Sequence, residues 1–434
     1  MSARPPESPR AYRGRLLTPL AASSNGDRVR YLDDALLVVG SDGRIVQAAP
    51  FAPGAFRGPV LDLRPSVLMP GFIDAHVHFP QTRIIGSASG SLLDWLERSV
   101  FPEEARFRDG GYAALVAGEF TARLVASGST TCVVFSSSCA GATDQLFGAL
   151  LRAGLRGIAG LTLMDQNCPE ALRVPRDEAI AAARDLVQRW HGAGGGLLEF
   201  AITPRFALSC SRGLMEAAAL LAHDHDLLVQ THVAETPAEG AATLREHPWA
   251  RDYIDVYDRV GLLTGRALLA HGVHLSPREW DRLAETRSSV VHCPDSNFFL
   301  GSGRMRLADA RARAVSVGLG SDVGAGRSFD MRRGMSSAFD NALCLGDRLL
   351  PSALFVMATQ GTADAIGLGR VIGSLEAGKE ADFIAVRFPE HILGEADLLN
   401  HLVFAPETAA VHRAFVRGRP VHLRRLGAPP HHSP

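Results

Sequence analysis

Short apolar runs that end in polar residues recur through the middle of the chain. Eight of them begin at Phe72, Thr130, Gly157, Leu198, Leu227, Ala267, Ser289 and Ser316. The segments between them, such as 178–190 and 214–223, space their apolar residues as amphipathic helices do. This alternation predicts an α/β fold in which crossover helices join parallel strands. Eight strand-plus-helix units predict a closed (β/α)8 TIM-type barrel.

The two flanks of this region have a different pattern. Residues 12–66 and 371–423 contain short strand-like runs broken by Gly, Pro and Asp, such as ALLVVGSDGRIV and KEADFIAVRF. Two such flanks predict one small composite β-sandwich, built from the N- and C-terminal segments. We therefore expect three segments: the first part of the sandwich at 12–66, the barrel at 67–370 and the second part of the sandwich at 371–423.

Composition narrows the classes of function. Of the 434 residues, 46% are hydrophobic and 21% charged, and the formal net charge is −1. No run approaches 18 uninterrupted apolar residues, so we expect no membrane partner. A net charge this small gives no electrostatic footprint for nucleic acid, and favours a small substrate. The six cysteines form no C-x-x-C pair, which indicates buried thiols in a cytoplasmic protein.

A histidine pair ends the first predicted barrel strand. Because His76 and His78 alternate on a strand, their side chains point to one face with Cα atoms about 6.6 Å apart. Two imidazoles so placed leave room on a zinc ion for ligands from other strands. His232, at the end of the fifth strand, and Asp322, at the end of the eighth, are the candidates. Taken alone, the pair favours partly exposed histidines at a strand end over a metal site.

Other chemically active residues fall at the same edge of the predicted barrel. Asp74 precedes the histidine pair, Glu235 follows the fifth strand and His271 ends the sixth. Active sites of these barrels lie at the carboxyl ends of the strands. The coincidence predicts a metal-dependent active site there.

Longer strings carry a resemblance to a known family. The strings MPGFIDAHVHFPQ from Met69, THVAET from Thr231, LLAHGVHLS from Leu268, VHCPDSNFFLGSG from Val291 and GLGSDVGAG from Gly318 resemble the amidohydrolase superfamily. The strings SLLDWLERSVFPEEARF from Ser91, ITPRFALSCS from Ile202 and VYDRVGLLTGRALLAHG from Val256 are similar to its guanine-deaminating branch. The resemblance covers residues 60–387.

The resemblance implies a set of site residues. It implies that one Zn²⁺ per chain is held by His76, His78, His232 and Asp322. It implies Glu235, His271 and Asp322 as the catalytic residues. It implies a purine pocket lined by His78, Gln81, Arg205, Phe206, His232, Glu235 and Asp322.

The implied reaction removes the amino group of guanine hydrolytically and belongs to purine catabolism. Zinc lowers the pKa of a bound water toward 7 and so provides the attacking oxygen. Asp322 is expected to accept the proton of this water, and Glu235 to protonate the ring nitrogen beside C2. His271 would stabilise charge on the attacking oxygen. Arg205 is expected to bind O6 and N7 of guanine, two acceptors that adenine does not offer together.

A single metal is expected because Lys379 is the only lysine in the chain and lies beyond the predicted barrel. Many relatives hold two metals bridged by a carboxylated lysine on a barrel strand. Glu199 opens the fourth predicted strand, so we expect it at the barrel floor or on the surface and not as a bridging ligand. Two departures from the family pattern are Ser321, where threonine is usual, and the segment 328–334, which we expect near the substrate.

Two other functions stay open at this point. One is an aminohydrolase that acts on a different ring, such as 8-oxoguanine, a pterin or a triazine. The other is a non-catalytic amidohydrolase-like scaffold that has lost its metal. On the first interpretation of the site, we expect a cytoplasmic homodimer whose partner is a small purine substrate.

Overall fold

The computed structural model describes residues 9–20, 28–87 and 90–421. A parallel sheet forms its centre, and its strands follow one another in chain order. They are β5 (Phe72–His78), β6 (Ser129–Phe135), β7 (Arg156–Gly160), β9 (Leu198–Pro204), β10 (Leu228–Val233), β11 (Ala267–His271), β12 (Ser289–His292) and β13 (Val317–Leu319), with the short β8 (Thr162–Leu163) beside β9. The predicted eight-stranded barrel is confirmed.

The first and last strands of this sheet meet just beyond the end of β13. The amide of Asp322 donates to the carbonyl oxygen of His76 at 2.8 Å, and the amide of His78 donates to that of Val323 at 3.0 Å. These bonds bring the sheet's two edges together and place Asp322 beside the histidine pair.

Helices of varied length cover the outside of the barrel and its mouth. They are α1 (Leu92–Trp95), α2 (Phe101–Ala105), α3 (Gly110–Ala126), α4 (Ala140–Ala153), α5 (Arg176–Trp190), the glycine-rich turn α6 (Ala193–Gly196), α7 (Arg212–Asp224), α8 (Pro237–Glu246), α9 (Tyr253–Arg259), α10 (Pro277–Thr286), α11 (Pro294–Phe299), α12 (Leu307–Ala312), α13 (Met331–Cys344), α14 (Pro351–Val356), α15 (Thr362–Ala365) and α16 (Gly394–Phe404). The two segments predicted as amphipathic helices lie within α5 and α7. None of the helices in the described ranges is long and apolar enough to cross a membrane.

A β-bulge in β5 sets the direction of the histidine pair. Ile73 and Ala75 belong to the core inside the barrel, whereas Val77 belongs to the core between the barrel and its helices. The pairing of β5 with β6 slips by one residue between Asp74 and Val77. Such a bulge re-aims side chains, and it turns His76 and His78 inward, where plain alternation would have turned them toward the helices.

Both terminal segments join in one further sheet. Its seven strands run in the order β16–β15–β14–β4–β1–β2–β3. They are β1 (Arg10–Pro19), β2 (Val29–Val39), β3 (Ile45–Pro50), β4 (Val60–Pro70), β14 (Phe383–Arg387), β15 (Ala410–Val416) and β16 (Arg419–Pro420). The predicted composite β module is confirmed and has an apolar core of its own, around Tyr12, Phe383 and Phe415. Residues 21–27, 422 and 423 of the predicted sandwich lie outside the described residues, and the cuts at 66 and 370 stay a prediction.

A buried ion pair network joins the barrel to the terminal sheet. Arg156 opens β7, and its Nε donates to Asp382 Oδ2 at 3.0 Å while Nη2 donates to Glu380. All three side chains are buried. Removing one partner from a buried network leaves uncompensated charge, which is far more costly than losing an exposed pair.

We expect Arg156→Met to lower the free energy of unfolding by about 3–5 kcal/mol, because it leaves the buried Asp382 without a cationic side chain among the described residues. Glu380 keeps Arg417 and Arg44 as partners. The matched control is Arg189→Met, which breaks the largely exposed pair between Arg189 and Asp144 and should cost at most about 1 kcal/mol. Urea unfolding followed by tryptophan fluorescence measures both. Equal losses in the two variants would contradict this account of the junction.

Candidate active site

Four side chains converge at the carboxyl end of the barrel strands. Asp322 Oδ1 lies 3.2 Å from His76 Nε2 and 3.3 Å from His78 Nε2. His78 Nε2 lies 3.1 Å from His232 Nε2. Zinc bonds of about 2.0–2.1 Å in a tetrahedron give donor-to-donor distances of about 3.3–3.4 Å. The three distances among these donor atoms are close to those values and so fit one zinc-sized ion.

The hydrogen bonding of the ring nitrogens supports the same interpretation. His76 Nε2 is buried and makes no hydrogen bond of acceptable geometry within the described residues, although Asp322 Oδ1 lies 3.2 Å away. A buried nitrogen in this position is costly unless another species satisfies it. His232 Nδ1 lies 2.5 Å from the carbonyl oxygen of Arg205. Because a carbonyl can only accept, Nδ1 carries the proton and the lone pair of Nε2 is free for a metal.

A different set of four residues could also hold a metal ion. His271 has a ligand atom within 4.8 Å of those of His76, His232 and Asp322, and this group does not contain His78. The Nε2 atom of His271, however, is 3.8 Å from Asp322 Oδ2, farther than the 3.1–3.3 Å that separates His78 Nε2 from its neighbouring donors. These distances favour His78 over His271 as the predicted ligand.

Asp74 holds the two ligand-bearing strand ends together. Its carboxylate accepts from Ser321 Oγ at 2.5 Å, from the Ser321 amide at 2.9 Å and from the His76 amide at 3.3 Å. The serine that replaces the family's usual threonine thus keeps the hydroxyl that this contact needs. Next to it, Asp322 has a φ of 50°, a left-handed conformation that is uncommon for a residue with a side chain and clusters at functional sites.

Glu235 and His271 stand beside the four donors. Glu235 Oε2 lies 3.5 Å from His271 Nε2, and Ser302 Oγ donates to Glu235 Oε1 at 2.8 Å. His271 Nδ1 lies 2.9 Å from Asn297 Oδ1, which fixes the ring and directs Nε2 toward Glu235 and Asp322. Burial raises the pKa of Glu235, so its carboxyl group retains a proton to a higher pH than an exposed glutamate does.

A second buried acid, Glu239, contacts the backbone of Glu235. Glu239 Oε2 accepts from the amide of Glu235 at 3.2 Å, and the hydroxyl of Tyr253 donates to Glu239 Oε1. Burial raises the pKa of Glu239 to about 7. Sequence reasoning missed Glu239, because it lies on α8 and not at a strand end.

One cavity is lined by every predicted site residue except the buried His76. Its walls include His78, Gln81, Arg205, Phe206, His232, Glu235, His271 and Asp322. The sequence did not single out the other lining residues, which are Leu92, Trp95, Leu96, Glu239 and Leu300. Leu92, Trp95 and Leu96 belong to the string from Ser91 that carried the family resemblance, which was the available signal for them.

This cavity does not include Lys379, Glu199 or the segment 328–334. Lys379 Nζ donates to Gln360 Oε1 at 2.5 Å, just ahead of β14, so it is remote from the strand ends. Glu199 opens β9 and pairs with Arg266 at 3.6 Å. No residue of the segment 328–334 lines the cavity, although we expected that segment near the substrate.

Comparison with known proteins agrees with this geometry. The amidohydrolase family model matches residues 67–421. A probable guanine deaminase of Deinococcus radiodurans is 40% identical over 389 residues, which are 87% of this chain and 88% of the relative.

Solved structures give the same assignment. Escherichia coli guanine deaminase superposes with a TM-score of 0.90 at 33% identity, covering 96% of this chain and 99% of that one. A guanine deaminase of C. acetobutylicum, solved with guanine bound in its active site, superposes with a TM-score of 0.89 at 28% identity, covering 96% and 100%. The chain described here belongs to the amidohydrolase family.

Proposed function

We propose that this chain is a zinc-dependent guanine deaminase, which hydrolyses guanine to xanthine and ammonia. The observation that carries the proposal is the set of four donors at tetrahedral spacing, at the base of a cavity that also contains a buried acid and an arginine. The relatives named above, one of them with guanine in its active site, support guanine as the substrate.

The proposed metal ligands are His76, His78, His232 and Asp322. Three imidazoles and one carboxylate are typical zinc donors. Zinc bound there would make a water molecule nucleophilic at neutral pH. A single ion is proposed because Lys379, the only lysine, is committed elsewhere.

Side chains of this protein would carry out the proton transfers of the reaction. Asp322 Oδ1 is one of the proposed metal donors. Ser296 Oγ donates to the other oxygen, Oδ2, at 2.5 Å and so holds the carboxylate in place. We propose that this carboxylate, next to the metal, takes the proton of the attacking water. Glu235, whose pKa is raised by burial, would protonate the ring nitrogen next to C2 and then recover a proton from the attacking oxygen, while the proton held by Asp322 passes to the departing amine. His271 would stabilise the charge that develops on the attacking oxygen.

The cavity walls suit a flat, uncharged ring. Apolar side chains of Leu92, Trp95, Leu96, Phe206 and Leu300 enclose it. Gln81 and Arg205 provide hydrogen-bond donors on the polar side. Guanine presents O6 and N7 as two acceptors, which match those donors, whereas adenine has an amino group in the place of O6.

The proposal extends to the cellular setting. All six cysteines are free, which supports a reducing compartment such as the cytoplasm, and the reaction would serve purine catabolism. The homodimer stays a prediction, which analytical ultracentrifugation tests.

The proposed activity is tested by measuring ammonia release from guanine, 8-oxoguanine, adenine, cytosine, a pterin and a triazine. We expect the zinc-loaded chain to turn over guanine with a kcat/KM at least tenfold above that of any other ring. Faster turnover of another ring would transfer the function to that substrate. No release from any ring would contradict a deaminase.

His76→Ala should remove the metal and the activity together, because it deletes one of four donors and the remaining three hold zinc far less tightly. The matched control is His401→Ala on α16, a half-buried histidine that does not line the cavity and whose loss should keep about one zinc per chain. Elemental analysis of both variants gives the result. Zinc retained in His76→Ala would show that the ligand set is wrong.

Glu235→Gln should keep the zinc and lose about 10²–10⁴ in kcat, because the amide preserves the shape of the side chain and cannot transfer a proton. Turnover at saturating guanine is compared with that of the parent chain at equal zinc content. A variant as fast as the parent chain would make Glu235 a bystander.

A further inference from the structure

Glu104 lies behind the polar wall of the cavity. It belongs to α2 and is 3% exposed. Arg205 Nη1 donates to its Oε2 at 2.6 Å, and Gln81 Nε2 donates to its Oε1 at 3.3 Å. One carboxylate therefore holds the two side chains proposed to donate hydrogen bonds to O6 and N7 of the purine.

This contact fixes which groups the wall presents. Gln81 Oε1 accepts from the amide of Gly324 at 3.1 Å, so the Gln81 amide is anchored at both ends and cannot turn over. An amide nitrogen has a second N–H, and Arg205 makes no side-chain hydrogen bond to any described residue other than Glu104. Donors, and not acceptors, are left for a ligand.

Glu104 also cancels the charge of this wall. Arg205 and Glu104 are both almost fully buried, with side chains 4% and 3% exposed. An isolated guanidinium at such depth would attract an anion strongly, because little water screens it. The ion pair instead leaves a wall that has directed donors and no net charge.

We propose that Glu104 is a positioning residue that determines specificity: it aims the donors of Gln81 and Arg205 at the acceptor edge of a neutral oxopurine and keeps anionic rings out. This inference rests on the proposed function. A purely structural role, in which the ion pair only ties α2 to the end of β9, is the competing explanation.

The neighbouring Glu103 provides a matched control. Its carboxylate accepts from Arg106 Nη1 at 2.9 Å and from the hydroxyl of Tyr112, and it does not border the cavity. Glu103→Gln and Glu104→Gln thus make the same chemical change at adjacent positions of one helix. Only Glu104→Gln changes a side chain that contacts Gln81 and Arg205.

The test compares kcat/KM on guanine and on 2-aminopurine, which keeps the reacting C2 amine and lacks O6. Glu104→Gln should lose about 10- to 100-fold on guanine, since charged hydrogen bonds are the stronger ones. It should lose no more than about threefold on 2-aminopurine, with its zinc content unchanged. Glu103→Gln should match the parent chain on both substrates.

Inhibition by xanthine at a pH where xanthine is an anion tests the charge. Glu104→Gln leaves Arg205 uncompensated, so its inhibition constant should fall by at least about fivefold. Glu104→Asp keeps the charge but draws the carboxylate back by one methylene, so it should lose activity on guanine without the gain in anion binding. If Glu104→Gln fails to fold, the Glu104→Asp variant still tests whether activity on guanine depends on the position of this carboxylate.

These measurements distinguish a specificity role of Glu104 from a purely structural one. Equal losses on the two substrates, or no change in anion inhibition, would overturn the inference and leave Glu104 a structural residue. A Glu104→Gln variant that behaves like Glu103→Gln would do the same. If the parent chain releases no ammonia from guanine, the proposed function itself fails, and that result is seen before any variant is made.

Discussion

The contact between the first and last strands of the barrel is the constraint on which the whole site depends. His76 and His78 end β5, whereas Asp322 lies almost 250 residues later in the chain. Two backbone hydrogen bonds, Asp322 to His76 and His78 to Val323, bring these ends together, and the Asp74 carboxylate spans the same junction through Ser321. If this junction opened, the donors would separate and neither the metal site nor the cavity above it would exist.

The segment that follows β12 helps several polar groups of the site to tolerate burial. Buried polar atoms are costly unless they have partners, and three residues of this segment supply them. Ser296 bonds to Asp322, Asn297 contacts His271, and Ser302 bonds to Glu235. All three partners follow β12, on α11 or within three residues of its end. One short segment therefore orients the three residues proposed to carry out the chemistry.

Local pattern was enough to predict the architecture and the strand-end residues. The alternation of β5 indicated that His76 and His78 share a face, and the structure agrees. It did not indicate the bulge between Asp74 and Val77 that chooses the inward face, because a bulge depends on pairing with a neighbouring strand. Nor did it find Glu104, which meets Arg205 across 101 residues. Glu104 lies within the string from Ser91 that carries the family resemblance, but nothing in the local pattern distinguishes its carboxylate from a solvated one.

The central claim is that a single zinc ion at the four converging donors supports guanine deamination. It is tested most directly by stripping the chain of metal, adding zinc in small steps and following the conversion of guanine to xanthine by absorbance. The account predicts no conversion without metal, a linear rise, and a plateau at one equivalent of zinc per chain. Conversion by the metal-free chain, or a plateau at two equivalents, would contradict it.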